Sequence, residues 1–179
     1  MANSIETAKE LLHRYWGFDA FKPGQEAVVT SILEGRDTLA LLPTGGGKSL
    51  CYQVPALAMD GLCLVVSPLI ALMDDQVNNL NSKGIKSMAL TSGFSHSDLD
   101  RMLDNCIFGN YKFLYLSPER LQQDLVQQRI KQMNVNLIAV DEAHCISQWG
   151  HDFRPAYRDI KLLRTIHPSV NVIGLTASA

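Results

Sequence analysis

Short apolar runs alternate along this chain with longer stretches in which apolar residues return every three or four positions. The runs Thr38–Leu42, Leu62–Val66, Ser87–Leu90 and Phe113–Leu116, with 137–140 and 172–175, read as strands. Several are apolar at every position, which is the pattern of parallel strands covered by helices on both faces. Between them, 49–59, 69–83, 97–108, 119–133 and 155–166 are long enough for crossover helices. Pro55 is expected to kink or shorten the first of these. Upstream, Ile5, Ala8, Leu11, Leu12 and Tyr15 follow helical spacing, with Gly17 placed to stop that helix. Pro23 is expected to open a second helix at its first position, carrying Ala27, Val28 and Ile32 and ending before Gly35. Strand and helix alternating in this way predict an α/β, three-layer domain around a mainly parallel sheet.

Length and composition narrow the picture without changing it. At 179 residues, 46% apolar and 19% charged, the chain is expected to form one domain over 1–179, with neither repeat nor linker. No apolar run approaches the roughly 18 residues of a membrane span, and the first turns do not resemble a secretory signal, so no membrane contact and an intracellular location are expected. Sixteen basic and eighteen acidic side chains give a net charge of −2, so any nucleic-acid surface has to be local. Cys51, Cys63, Cys106 and Cys145 form no C-x-x-C pair, which predicts reduced, mostly buried thiols rather than a zinc ribbon or disulfides.

In such sheets ligands bind beyond the carboxyl ends of the strands, and two such ends carry chemistry. The first predicted strand runs into Pro43, Thr44, Gly45, Gly46, Gly47, Lys48 and Ser49, and then helix. Glycines let backbone N–H groups converge on a phosphate, a lysine reaches the β/γ-phosphates, and a serine hydroxyl holds Mg²⁺. Leu42 stands where the strict phosphate-loop pattern has its first glycine. The run 137–140 delivers Asp141, Glu142, Ala143 and His144 at its end. There Asp141 can share the Mg²⁺ with Ser49, and Glu142 can orient and deprotonate an attacking water. Together the two halves point to a Mg²⁺-dependent nucleoside triphosphatase.

The sequence Asp141-Glu142-Ala143-His144, with the phosphate loop, resembles superfamily 2 helicases and translocases. Residues 44–53 and 141–155 are more specifically similar to the RecQ family of DNA helicases, and the resemblance runs over essentially the whole chain. It implies the first RecA-like lobe of an ATP-driven motor that unwinds DNA 3′ to 5′ in repair and recombination. Lys48, Asp141, Glu142 and His144 are its catalytic candidates, with ATP and Mg²⁺ as cofactors. Residues 18–25 resemble the adenine-reading motif of the group: Gln25 takes the edge of adenine, Phe18 stacks on the base, and Lys22 stands where arginine is common. A Gln amide suits that task because it donates and accepts at once.

The partners implied are single-stranded and duplex DNA and a second RecA-like lobe bearing an arginine finger, followed by zinc-binding and winged-helix modules. Ser67-Pro68 and Ser117-Pro118 are each read as a helix N-cap followed by proline, a start that offers N–H groups to DNA phosphates. The loop containing Gln148, Trp149, His151, Phe153 and Arg154 resembles the aromatic-rich loop that couples DNA to hydrolysis, and its rings suit stacking on unpaired bases. Thr176 and Ser178 are similar to the family's "TAT/SAT" coupling motif and are expected to follow the last strand. An RNA or chromatin translocase, and a nucleotide-dependent switch without motor activity, remain the alternatives.

Overall fold

The computed structural model describes residues 4–42, 47–141 and 154–177, for 154–157 and 177 the backbone only. Its elements run α1 (Ile5–Trp16), α2 (Gln25–Leu33), β1 (Thr38–Leu42), α3 (Leu50–Ala58), β2 (Leu62–Val66), α4 (Ile70–Ser82), β3 (Ser87–Leu90) and α5 (His96–Phe108). They continue as β4 (Phe113–Leu116), α6 (Pro118–Leu121), α7 (Asp124–Gln132), β5 (Val135–Asp141), α8 (Arg154–Ile166) and β6 (Val172–Ala177). All pairings are parallel, and the strands lie in the order β1-β6-β5-β2-β4-β3.

The strand alternation explains the three layers. Cys63, Val65, Phe113, Tyr115, Leu137 and Ala139 point to one face, where Cys51 and Tyr52 of α3 and Met73 and Val77 of α4 cover them. Leu62, Leu64, Leu114, Leu116, Ile138 and Val140 point to the other, under Leu103 of α5, Ile130 of α7 and Leu163 of α8. A satellite core of Ala8, Leu12, Val29, Leu50 and Val54 fastens α1 and α2 onto α3. No helix among the described residues is long and apolar enough to cross a membrane. Cys51, Cys63 and Cys106 are buried free thiols. Burial pushes Cys51 and Cys106 up to about 12 and raises Cys63 as well, so all three stay protonated. Cys145 lies outside the described residues.

Helix α1 ends as its sequence predicts: Gly17 adopts φ 74° and its N–H donates to His13 O. Several other boundaries differ from the pattern. Pro23 does not open α2. It sits with Gly24, at φ 89°, in a turn closed by Gln25 N–H donating to Lys22 O at 3.0 Å, and the helix begins only at Gln25. Ser67 does not cap α4 either, because its hydroxyl accepts from Leu69 N–H in a local turn and delays the helix to Ile70. Ser117 does cap, accepting from Arg120 N–H with Pro118 at the first position, but α6 has only four residues.

The single helix expected over 119–133 is broken at Gln123, which is extended at ψ 132°. Leu121 and Val126 are both fully buried, yet five positions place side chains about 140° apart on one helix. The break rephases the chain so that both reach the core. Pro55 neither ends nor shortens α3 to its own position, since the helix continues to Ala58 inside a packed environment. Both β5 and β6 outrun their apolar runs. Thr176 and Ala177 do not follow β6 but lie within it, paired with Leu41 and Leu42.

Candidate nucleotide site at the carboxyl ends of β1 and β5

Gly47 lies three residues before the start of α3, and its conformation is one that only glycine adopts freely, with φ 74°. Its carbonyl accepts from Leu50 N–H at 3.2 Å and from the Gln25 side-chain amide at 3.1 Å. The other end of that amide, Oε1, accepts from Lys22 N–H at 2.8 Å. Gln25 is only 2% exposed, so in this structure its amide braces the phosphate loop from behind and both ends are engaged with backbone. A Cβ on Gly47 would collide with Gln25 Nε2. Phe18, by contrast, is 48% exposed, and the Lys22 side chain is exposed too.

Lys48 and Asp141 are distant in sequence but meet in space, Nζ standing 3.3 Å from Oδ1. The sheet order explains the meeting. Only β6 separates β1 from β5, and Asp141 is the last residue of its strand, aligned with Leu175 of β6. The pair is about one-quarter exposed (25% and 23%), open enough for a ligand to enter and shielded enough to strengthen its field. Ser49 stands at the N-cap of α3 but makes no capping bond with its side chain. Lys48, Ser49 and Asp141 together line one end of a cavity of about 290 Å³. Tyr52, Tyr115, Leu72 and Met73 also line it. The hydroxyl and carboxylate are hard oxygen donors of the kind Mg²⁺ prefers, so these residues fit that ion.

The remaining candidates divide clearly. Ser67 and Ser117 lie at the ends of β2 and β4, but both are buried and their hydroxyls are occupied by Leu69 and Arg120 N–H groups. Thr176 is buried in β6, between the strands that carry the phosphate loop and Asp141. Arg154 opens α8. Thr44, Gly45, Gly46, Glu142, His144, Gln148, Trp149, His151, Phe153 and Ser178 lie outside the described residues, as does the Arg154 side chain. Among the described residues no group of three or more His, Cys, Asp or Glu is placed to hold a metal. The motifs did not reveal the brace between Gln25 and Gly47. No local signal in the sequence marked it, since α2 also carries the polar residues Glu26, Thr30 and Ser31.

The DEAD/DEAH box helicase family model matches residues 22–179. The chain belongs to the DEAD/DEAH box helicase family. Among curated relatives, it is 48% identical over 172 residues to the probable ATP-dependent DNA helicase RecS of Bacillus subtilis, covering 96% of this chain and 34% of that protein. It is 46% identical to the ATP-dependent DNA helicase RecQ of Haemophilus influenzae, covering 97% of this chain and 28% of that one. This DEAD/DEAH chain thus spans about a third of the length of the relatives it matches, and the expected likeness to RecQ-type proteins is met. In fold it is similar to the Mycobacterium smegmatis helicase Lhr bound to single-stranded DNA and AMP-PNP. The TM-score there is 0.73 at 22% identity, over 94% of this chain and 24% of that one. That likeness agrees with the three-layer, RecA-like architecture described above.

Proposed function

We propose that this DEAD/DEAH domain is the ATP-binding lobe of a RecQ-type DNA helicase that moves 3′ to 5′ on single-stranded DNA and serves repair and recombination. The observation that carries the reading is the meeting of Lys48 with Asp141 beside Ser49, at the carboxyl ends of parallel strands. Lys48 and the glycine-rich loop bind the triphosphate, and the positive end of α3 adds to that attraction. Without nucleotide, Asp141 occupies Lys48; an arriving phosphate competes for the ammonium. Ser49 and Asp141 would hold Mg²⁺, which when bound neutralises charge on the phosphate oxygens. Glu142 orients the attacking water and takes its proton, and Phe18 stacks on adenine. Turning the Gln25 amide toward the adenine edge would also disturb its bonds to Lys22 N–H and Gly47 O, so base binding and the loop brace are linked. The loop at 148–154, with its two aromatic rings and Arg154, engages unpaired bases and reports their presence to Glu142. A second RecA-like lobe supplies the remaining transition-state charge.

The test is ATP hydrolysis by the full-length protein with and without single-stranded DNA, beside unwinding of 3′-tailed and 5′-tailed duplexes. The reading expects strong stimulation by DNA and unwinding of the 3′-tailed substrate. Stimulation by RNA alone would assign the chain to an RNA translocase. Nucleotide binding with no stimulation by either nucleic acid would make it a switch.

A further inference from the structure

Beside the phosphate loop lies a polar cluster whose Tyr52, Tyr115 and Gln76 also line the cavity of Lys48 and Ser49, and whose central residue, Gln53, the nucleotide chemistry above does not use. Gln53 is one turn into α3, its N–H donating to Ser49 O at 2.9 Å, and it is 3% exposed. Its side-chain Nε2 donates to Tyr115 Oη of β4 at 2.9 Å and to Gln76 Oε1 of α4 at 2.8 Å. Both hydrogens of that amide nitrogen are therefore spent. Tyr115 Oη also shares a hydrogen bond with Tyr52 Oη of α3 at 2.6 Å. Burial raises both phenols above their ordinary range, so the cluster carries no charge. Val65, Met73, Val77 and Phe113 share the core of the two tyrosines, while Gln53 also borders a pocket with Ser49, Asp75, Gln76 and Asn79. Leucine at position 53 would keep much of the bulk and lose every one of the amide's bonds. The bonds Gln53 makes are directional, and they join three elements at one point.

Those three elements lead to the two ends of the proposed machine. Helix α3 follows directly on Lys48 and its N-cap Ser49. Tyr115 is two residues before Ser117, and Gln76 lies on the helix that follows the Ser67 turn. The two strand ends are themselves tied, Ser67 N–H donating to Leu116 O at 3.1 Å. We infer that Gln53 is a positioning residue that transmits movement of the phosphate loop to the carboxyl ends of β2 and β4. A shift of α3 on nucleotide binding moves its amide. Because both N–H groups are engaged, Tyr115 and Gln76 must follow or two buried hydrogen bonds must break. An apolar side chain of similar bulk would let α3 slide against its neighbours without that obligation.

The inference that DNA is the ligand at those strand ends rests on the helicase reading, so the experiment carries two readouts. In the full-length protein, Gln53→Leu is compared with wild type and with Val54→Ala. Val54 is a fully buried α3 neighbour that faces α1 and α2, and its truncation controls for lost stability. Hydrogen exchange with a non-hydrolysable ATP analogue should show a nucleotide-induced change at residues 67–72 and 115–120 in wild type and in Val54→Ala. That change should be absent in Gln53→Leu, with nucleotide affinity held within about twofold. ATPase assays should show basal turnover retained in Gln53→Leu and stimulation by single-stranded DNA cut about tenfold, inside the usual 5–150-fold range of coupling between sites.

If the exchange response survives in Gln53→Leu, or Val54→Ala loses it equally, the proposed role is overturned. The same holds if basal and stimulated rates fall by one factor. Wild type that responds to nucleotide in exchange but not to DNA in hydrolysis would remove the helicase reading, and the exchange comparison would still decide the role of Gln53.

Discussion

Gly47→Ala tests the contact between the phosphate loop and Gln25 of α2. The methyl group meets two obstacles. At φ 74° an L-residue lies in the left-handed region, which costs about 1–2 kcal/mol. It also collides with Gln25 Nε2, which must leave Gly47 O. Breaking a hydrogen bond costs about 1 kcal/mol net, and up to about 3 where a buried donor is left unpaired. The reduced freedom of the unfolded chain returns roughly 0.4–1 kcal/mol. The expected loss is thus about 2–4 kcal/mol, or roughly 4–16 °C in melting temperature for a domain of this size. The measurement is thermal and urea unfolding of the nucleotide-free chain in a double-mutant cycle with Gln25→Ala. Without the glutamine side chain the collision disappears, so Gly47→Ala should then cost only its conformational part less the unfolded-chain return, about 0–1.6 kcal/mol. The two substitutions should therefore couple by the hydrogen-bond part, about 1–3 kcal/mol. Additivity within about 0.5 kcal/mol would refute the brace and leave the backbone as the whole cost.

Three further outcomes are expected. In the full-length protein Lys48→Ala should weaken nucleotide binding and hydrolysis together, by about 10–100-fold for a lost charged hydrogen bond. Glu142→Gln should leave analogue binding nearly intact while hydrolysis falls by at least about 10²-fold, and normal turnover would remove Glu142 from its proposed role. Asp159 of α8 is 1% exposed, and burial, opposed in part by Arg158 and the Gln122 amide, raises its carboxyl to about 6. The folded state then holds an extra proton between the ordinary value of 3.8 and about 6, so this group lowers stability as pH rises through that window. Asp159→Asn should be more stable than wild type by about 1–3 kcal/mol at pH 7, with the advantage gone by pH 4 in urea titrations; an advantage independent of pH would refute the cause.

Much of the architecture is local enough to be read from residue order. Fully apolar runs at Leu62–Val66 and Phe113–Leu116 match strands sandwiched between helices, and both are completely buried in the sheet. Gly17 stops α1 and Ser117 caps α6 because a capping bond spans only a few residues. The types and spacing of Lys48, Ser49 and Asp141 likewise marked them as candidates for one site, and the fold brings them to one cavity. Boundaries failed wherever a side chain found a partner that its type does not dictate. Ser67 turned to Leu69 N–H rather than capping α4, and the core's demand for both Leu121 and Val126 broke a helix that looks continuous.

The sequence by itself determined which segments are strands and helices, which faces they bury, and which residue types could handle a triphosphate. Tertiary structure alone decided the order β1-β6-β5-β2-β4-β3, and with it the placing of Lys48 3.3 Å from Asp141. It alone turned Gln25 onto Gly47 and Gln53 onto Tyr115 and Gln76. The reason is physical. Periodicity and capping are properties of a few consecutive residues. The partner of a buried amide is chosen by whichever donor or acceptor packing brings within about 3 Å, and chain separation does not enter that choice.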